Sequence, residues 1–233
     1  MVVRKWMLLA ALAAGLISAL DGCGNGGHGA DALYPVTVVF MGDSTMVDLA
    51  DLPAVSAGGR QAVCVQDLVD TALVTEPGNY VYRFSGSDGA RAPDHAWSQL
   101  AKQHAIVPGM TVTSDPNLAS ESSVVEGLAC LEILRKIDFV VNDSVVQCVV
   151  ADRRTESLKG QDAVRMTSFL PDSLAARERS SYQLVATDGY IWTMPWEIFN
   201  QAYYVIPLDE VHLFEDLPTV PIVWNLMEVI VIP

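Results

Sequence analysis

Short apolar runs, each closed by a small or acidic turn pair, recur along the chain from residue 36 onward. Val39-Phe40-Met41-Gly42-Asp43-Ser44 has a counterpart in Phe139-Val140-Val141-Asn142-Asp143-Ser144. In each, an apolar strand meets Gly-Asp or Asn-Asp, and a second apolar strand follows at 46–49 or 145–150. This pattern predicts a β-hairpin in both places. Gly59-Arg60-Gln61-Ala62-Val63 is matched by Gly160-Gln161-Asp162-Ala163-Val164, and each runs toward a short predicted helix, 67–74 and 168–176. Alternating strands follow at 79–84 and 182–186, and end near Asp88-Gly89 and Asp188-Gly189. Asp-Gly supplies the positive φ of a tight turn. Pro93 and Pro195 then open predicted helices at 94–105 and 196–204, where a missing N–H costs nothing.

The repeat has a period of about 100 residues and divides the chain into half-repeats of about 36–114 and 137–233. A polar stretch at 115–123 and a predicted helix at 124–136 join them. Residues 220–232 are Val/Ile-rich and read as a terminal strand buried on both faces. The expected class is α+β: a mixed sheet built from two pseudo-repeated halves, with short helices in each.

Composition narrows the function classes. The chain has 233 residues, 51% of them hydrophobic, and a net charge of −14. That much apolar content excludes disorder over most of the length. The acidity excludes nucleic-acid binding through a basic footprint.

The N-terminus changes the picture further. Arg4 and Lys5 precede an uncharged apolar run, residues 6–20, which reads as a secretory signal over 1–22. Leu20-Asp21-Gly22-Cys23 resembles the bacterial lipoprotein box, which implies lipid attachment at Cys23. Residues 23–31 are Gly-rich and read as a flexible tether, leaving 32–233 as the globular domain. The expected setting is the bacterial cell envelope, with the protein anchored to membrane through its lipidated N-terminus and facing the periplasm or exterior. With Cys23 carrying lipid, Cys64, Cys130 and Cys148 remain. At most one disulfide forms among them, and Cys130–Cys148 and Cys64–Cys148 are the pairings considered.

Three further elements carry a family resemblance. They are Ala62-Val63-Cys64-Val65-Gln66-Asp67-Leu68-Val69, then Val185-Ala186-Thr187-Asp188-Gly189-Tyr190 with Met194-Pro195, and Val223-Trp224-Asn225-Leu226-Met227-Glu228-Val229. In this order they resemble the molybdopterin-binding domain of sulfite-oxidase-like oxidoreductases. The resemblance covers about residues 32–233 and implies that domain's fold. It also implies a molybdenum-ligating cysteine in the loop before the first element, yet 53–59 contains none. Where the family has phosphate-binding cations, this chain has Leu208-Asp209-Glu210 and Val223. The resemblance therefore implies the fold and argues against molybdopterin as cofactor.

Other chemistry is sparse in the sequence. No two of His28, His95, His104 and His212 have the spacing that places imidazoles on one helix face, and no metal site or catalytic residue is nominated. His95 and His104 are expected at the ends of the 94–105 helix, exposed. Gly42-Asp43-Ser44 is read as a repeated turn rather than a nucleophile, because Asp143-Ser144 duplicates it. Trp196, Phe199 and Tyr203 are expected on one buried helical face. Asp188, Tyr190 and Trp192 form the candidate surface for a small ligand or an envelope protein partner. The expected function is a non-enzymatic binding or interaction module, possible as a subunit of an envelope complex. The alternative is a molybdopterin-type oxidoreductase or another cofactor-binding redox protein.

Overall fold

A computed structural model describes residues 34–69, 74–107, 109–114, 123–170, 180–216 and 220–232. The expected signal at 1–22, Cys23 and the expected tether at 23–31 lie outside the described residues. The chain is mostly β, with a mixed, curled sheet. The first half contains β1 (Pro35–Phe40), β2 (Asp43–Asp48), β3 (Ala54–Ala57), β4 (Arg60–Cys64), β5 (Tyr80–Gly86), β6 (His95–Ala96), α1 (Trp97–Leu100), β7 (His104–Ile106), β8 (Thr111–Thr113) and β9 (Ser123–Val125). A long strand, β10 (Leu128–Val141), follows. The second half continues with β11 (Ser144–Val149), β12 (Glu156–Leu158), β13 (Gln161–Arg165), β14 (Ser181–Ala186), β15 (Ile191–Pro195), α2 (Trp196–Phe199), β16 (Ala202–Val205), β17 (Glu210–Leu213), β18 (Val223–Trp224) and β19 (Leu226–Ile232).

The strand β10 belongs to both halves. Its N-terminal part lies parallel to β1 and antiparallel to β5, while its C-terminal part lies parallel to β19 and antiparallel to β11. The main sheet runs β15-β14-β19-β10-β1-β2, with β5 and β11 also on β10. Each half adds a smaller antiparallel sheet, β3-β4-β7-β8-β9 or β12-β13-β16-β17-β18. Element for element, β1 to β9 correspond to the C-terminal part of β10 through β18. The N-terminal part of β10 corresponds to β19.

The turns repeat as well. Met41-Gly42 and Asn142-Asp143 both have two positive-φ residues between paired strands, as do Gly58-Gly59 and Lys159-Gly160. These turns twist with the strands they join. The first turn pair is therefore Met41-Gly42, one residue earlier than the Gly42-Asp43 read from sequence. Phe40 pairs directly with Asp43, so Asp43 opens β2. At the third hairpin the Asp88 carboxylate accepts the Ala90 N–H at 2.8 Å, and that of Asp188 accepts the Tyr190 N–H at 2.9 Å.

Each half encloses its own core between its part of the main sheet and its smaller sheet. One gathers Tyr82, Phe84, Leu100, Leu128 and Leu131; the other gathers Phe139, Phe169, Tyr182, Phe199 and Val229. The aromatic centres match. Tyr82 lies 5.6 Å from Trp97, and Tyr182 lies 5.9 Å from Trp196. Two arginines cross between the halves. Arg83 on β5 binds Asp94 at 2.6 Å and reaches Asp152 of the second half at 3.0 Å. Arg135, at the middle of β10, binds Asp209 and donates to the carbonyls of Asn79 and Leu226.

Several expectations are corrected. Residues 124–136 are not a helix; most of them open β10. A register shift between Leu128 and Cys130 puts Leu128 and Leu131 three apart on the buried side, which imitates helical spacing in sequence. Leu131, Ile133, Ile137 and Phe139 then share the core-facing side at strand period. The helices expected at 94–105 and 196–204 shrink to the single turns α1 and α2, because β7 and β16 are needed to pair with β4 and β13. The segments expected as helices at 67–74 and 168–176 are 3₁₀ turns where described, Val65–Leu68 and Met166–Phe169. The terminal run breaks at Asn225, whose φ is +47°. Beyond it only Leu226, Val229 and Val231 are buried, while Trp224 and Ile232 are exposed. No disulfide joins Cys64, Cys130 or Cys148; all three are free thiols. Cys148 is buried and donates to the Phe169 carbonyl. Burial raises the pKa of both Cys148 and Cys130.

Candidate functional site

An open groove of about 590 Å³ lies on the smaller sheet of the second half. Alternation along β13 and β16 creates it. Val164 and Tyr204 point into the core, so Arg165 and Tyr203 point to the other face, where they stand directly opposite each other. Tyr203 packs there with Ala163, Val205 and Leu158, in a small cluster separate from the main core. The α2 turn and the residues after it supply Trp196, Asn200 and Gln201. The end of β17 supplies Leu213, Phe214 and Glu215, and Thr167 completes the wall.

Two cations lie against the groove's rings. The Arg165 guanidinium sits 4.9 Å from the Tyr203 centroid, and the Lys159 ammonium 5.1 Å from that of Phe214. Lys159 also donates to the Glu215 carbonyl at 3.0 Å, and Arg165 is 3.9 Å from a Glu156 oxygen. The lining residues include one carboxylate, Glu215, and neither histidine nor cysteine. Such a surface offers rings, amides and a guanidinium for holding a ligand.

The repeat provides an internal comparison. At the equivalent positions of the first half, Cys64 replaces Arg165, His104 replaces Tyr203, Ala101 replaces Asn200 and Gln66 replaces Thr167. Trp97 and Trp196 are common to both. The tryptophan is shared, while these groove-wall positions differ between the halves. Sequence reading missed this site because Arg165 and Tyr203 lie far apart along the chain and meet only across a strand pair. The difference between the two half-repeats at those positions was the available signal.

The structure places the sequence-nominated residues elsewhere. Asp188, at the tip of the β14–β15 hairpin, uses its carboxylate to hold the turn, as Asp88 does in the other half. Trp192 and Ile191 are exposed on the sheet's edge strand β15, Tyr190 is exposed just before it, and none of them lines the groove. Tyr203, expected on a helical face with Trp196 and Phe199, is on β16 and faces away from Phe199. Phe199 stacks on Tyr182 at 4.0 Å inside the core.

The positions that the family resemblance links to a pterin phosphate do not fit one. The Asp209 carboxylate is taken by Arg135 and by the Tyr204 hydroxyl at 2.6 Å; Glu210 lies 2.8 Å from His212, and Val223 is wholly buried. Cys64, on β4, is the nearest thiol to the loop where that family carries its metal ligand. Among the described residues no group of three or more His, Cys, Asp or Glu is gathered as a metal site would require.

His95 and His104 are not at exposed helix ends. They begin β6 and β7, and both are partly buried. The His95 ring packs 5.0 Å from Phe84, and its Nε2 is buried without a partner. Burial lowers its pKa, and nearby Asp94 opposes this only in part. Folding therefore favours neutral His95. Its contribution is fully present above the unfolded value of about 6.5 and is lost as pH falls through the lower folded value. Urea midpoints measured from pH 8 to 5 should fall on the acid side, and His95→Gln should flatten that fall between pH 7 and 5.

No known protein family matches the chain, no curated protein matches it in sequence, and no solved structure matches its fold.

Proposed function

We infer that this chain is a non-enzymatic ligand-binding module, tethered through Cys23 to a bacterial envelope membrane and facing away from the cytoplasm. The observation that carries the binding reading is the groove around Trp196, Tyr203 and Phe214, with its lining of amides and a guanidinium. Concave sites lined by rings and a few convergent polar groups are the usual form of small-molecule sites. The anchoring reading rests on the sequence of residues 1–31.

The neutral aromatic probe N-phenyl-1-naphthylamine tests the binding reading on the full chain. Its emission should rise to saturation at one site per chain. Phe214→Ser should weaken binding at least tenfold, and because Phe214 is half exposed the variant should keep its fold. Binding that never saturates, or that survives Phe214→Ser unchanged, would overturn the groove as the site.

A second reading has its own observation: Ile191 and Trp192 on β15, and Tyr190 just before it, are exposed, and the outer edge of β15 pairs with no other strand among the described residues. Such an edge suits pairing with an extended segment of an envelope protein. Under that reading, Tyr190→Ala with Trp192→Ala abolishes capture of the partner and leaves the groove probe unaffected.

A further inference from the structure

We propose that the groove's ligand is a neutral, hydroxyl-bearing ring, a pyranose unit of a saccharide; the proposal rests on the groove being a ligand site. Charge comes first. The charged residues that line the groove are one cation, Arg165, and one anion, Glu215, so the lining carries no net charge to attract an anion. At longer range the chain carries −14, which repels anions. A cationic ligand would gain from the acidity, but the Tyr203 and Phe214 rings already have Arg165 and Lys159 against them. An added cation would meet like charge at both.

Hydrogen-bonding capacity points the same way. Arg165 offers only donors, and the Glu215 carboxylate only acceptors. Asn200, Gln201 and Thr167 each offer both. Neighbouring sugar hydroxyls are each donor and acceptor, and can satisfy this mixed wall from one ring. A purely apolar ligand would leave some of these groups unpaired and so bind less tightly than a sugar that pairs them. The apolar face of a pyranose can lie on Trp196, Leu213 and Phe214. The first half serves as a built-in contrast. With Ala101 for Asn200, Cys64 for Arg165 and His104 for Tyr203, it lacks the Asn200 amide, the guanidinium and the phenol, so it should bind no sugar.

Saturation-transfer NMR on the full chain, with methyl β-D-glucopyranoside, methyl α-D-mannopyranoside and N,N′,N″-triacetylchitotriose as probes, tests the class. At least one probe should show transfer strongest at its ring C–H protons. That transfer should drop at least fivefold in both Asn200→Ala and Glu215→Gln, and stay unchanged in Lys102→Ala on the first half. Saccharide binding that ignores Asn200→Ala and Glu215→Gln would overturn the proposal. If no saccharide binds while N-phenyl-1-naphthylamine still does, the ligand class is wrong and the groove stands. If neither binds, both readings fall.

Discussion

Replacing Arg135 by Met is expected to destabilise the fold by about 3–5 kcal/mol, the range for removing one partner of a buried ion pair. The guanidinium is nine-tenths shielded and the Asp209 side chain nearly as much. Burial works against the charge on Arg135, but Asp209, with Tyr204 and Tyr80, more than restores it, and the pKa is raised. Burial also raises the pKa of Tyr204, Asp209 adding to the effect, so the hydroxyl stays protonated and donates to the carboxylate. Without Arg135, the shielded Asp209 carboxylate is left with the Tyr204 hydroxyl as its partner. Arg135 also ties Asn79 of the first half to Leu226 of the second, at the point on β10 where the halves meet. Urea unfolding should show the loss as a lower midpoint with one cooperative transition, because β10 is common to both sheets. A double variant, Arg135→Met with Asp209→Leu, should recover most of the stability, since no charge is then stranded. A loss below about 1 kcal/mol, the scale of an exposed pair, would show that the cluster does not hold the halves together.

The second large effect concerns the two core tyrosines. Tyr182→Ala and Tyr82→Ala should each cost about 3–5 kcal/mol, as truncation of a buried aromatic does. Tyr182 loses its stacking on Phe199 and its contact with Trp196; Tyr82 loses Trp97. Tyr82→Phe keeps the ring and removes only the bond to the Pro77 carbonyl at 3.0 Å, so about 1 kcal/mol is expected. Thermal or urea unfolding of the three variants checks the set. Equal large losses at positions 82 and 182 would follow from the two halves being built on one plan.

The sequence showed its period and turn chemistry because Asp-Gly and Asn-Asp act locally. Asp88 and Asp188 cap their own turns, and no distant residue is needed. The Met41-Gly42 turn was displaced by one because nothing in an apolar run marks Met as the residue that takes positive φ; the pairing of Phe40 with Asp43 decides it. The helices were over-read for a different reason. Trp97 and Leu100, or Trp196 and Phe199, do have helical spacing, but only for one turn, and non-local pairing claims the residues beyond. In β10 a bulge disguised a strand as a helix. Candidate chemistry was least legible. Tyr203 resembled a core residue by spacing, and Arg165 carried no motif. The face of a sheet to which both belong is set by strand register across a long sequence separation. Asp188 was chosen for its turn and proved to be used by it.

The central claim is that the second half's groove, rather than the β15 edge or the first half, holds the ligand. The indole N–H resonances of the full chain test it most directly, with Trp97, Trp192, Trp196 and Trp224 assigned by substitution. On addition of N-phenyl-1-naphthylamine, the Trp196 signal should shift to saturation while those of Trp97, Trp192 and Trp224 stay in place. A shift of Trp192 or Trp97 with Trp196 unmoved would contradict the account.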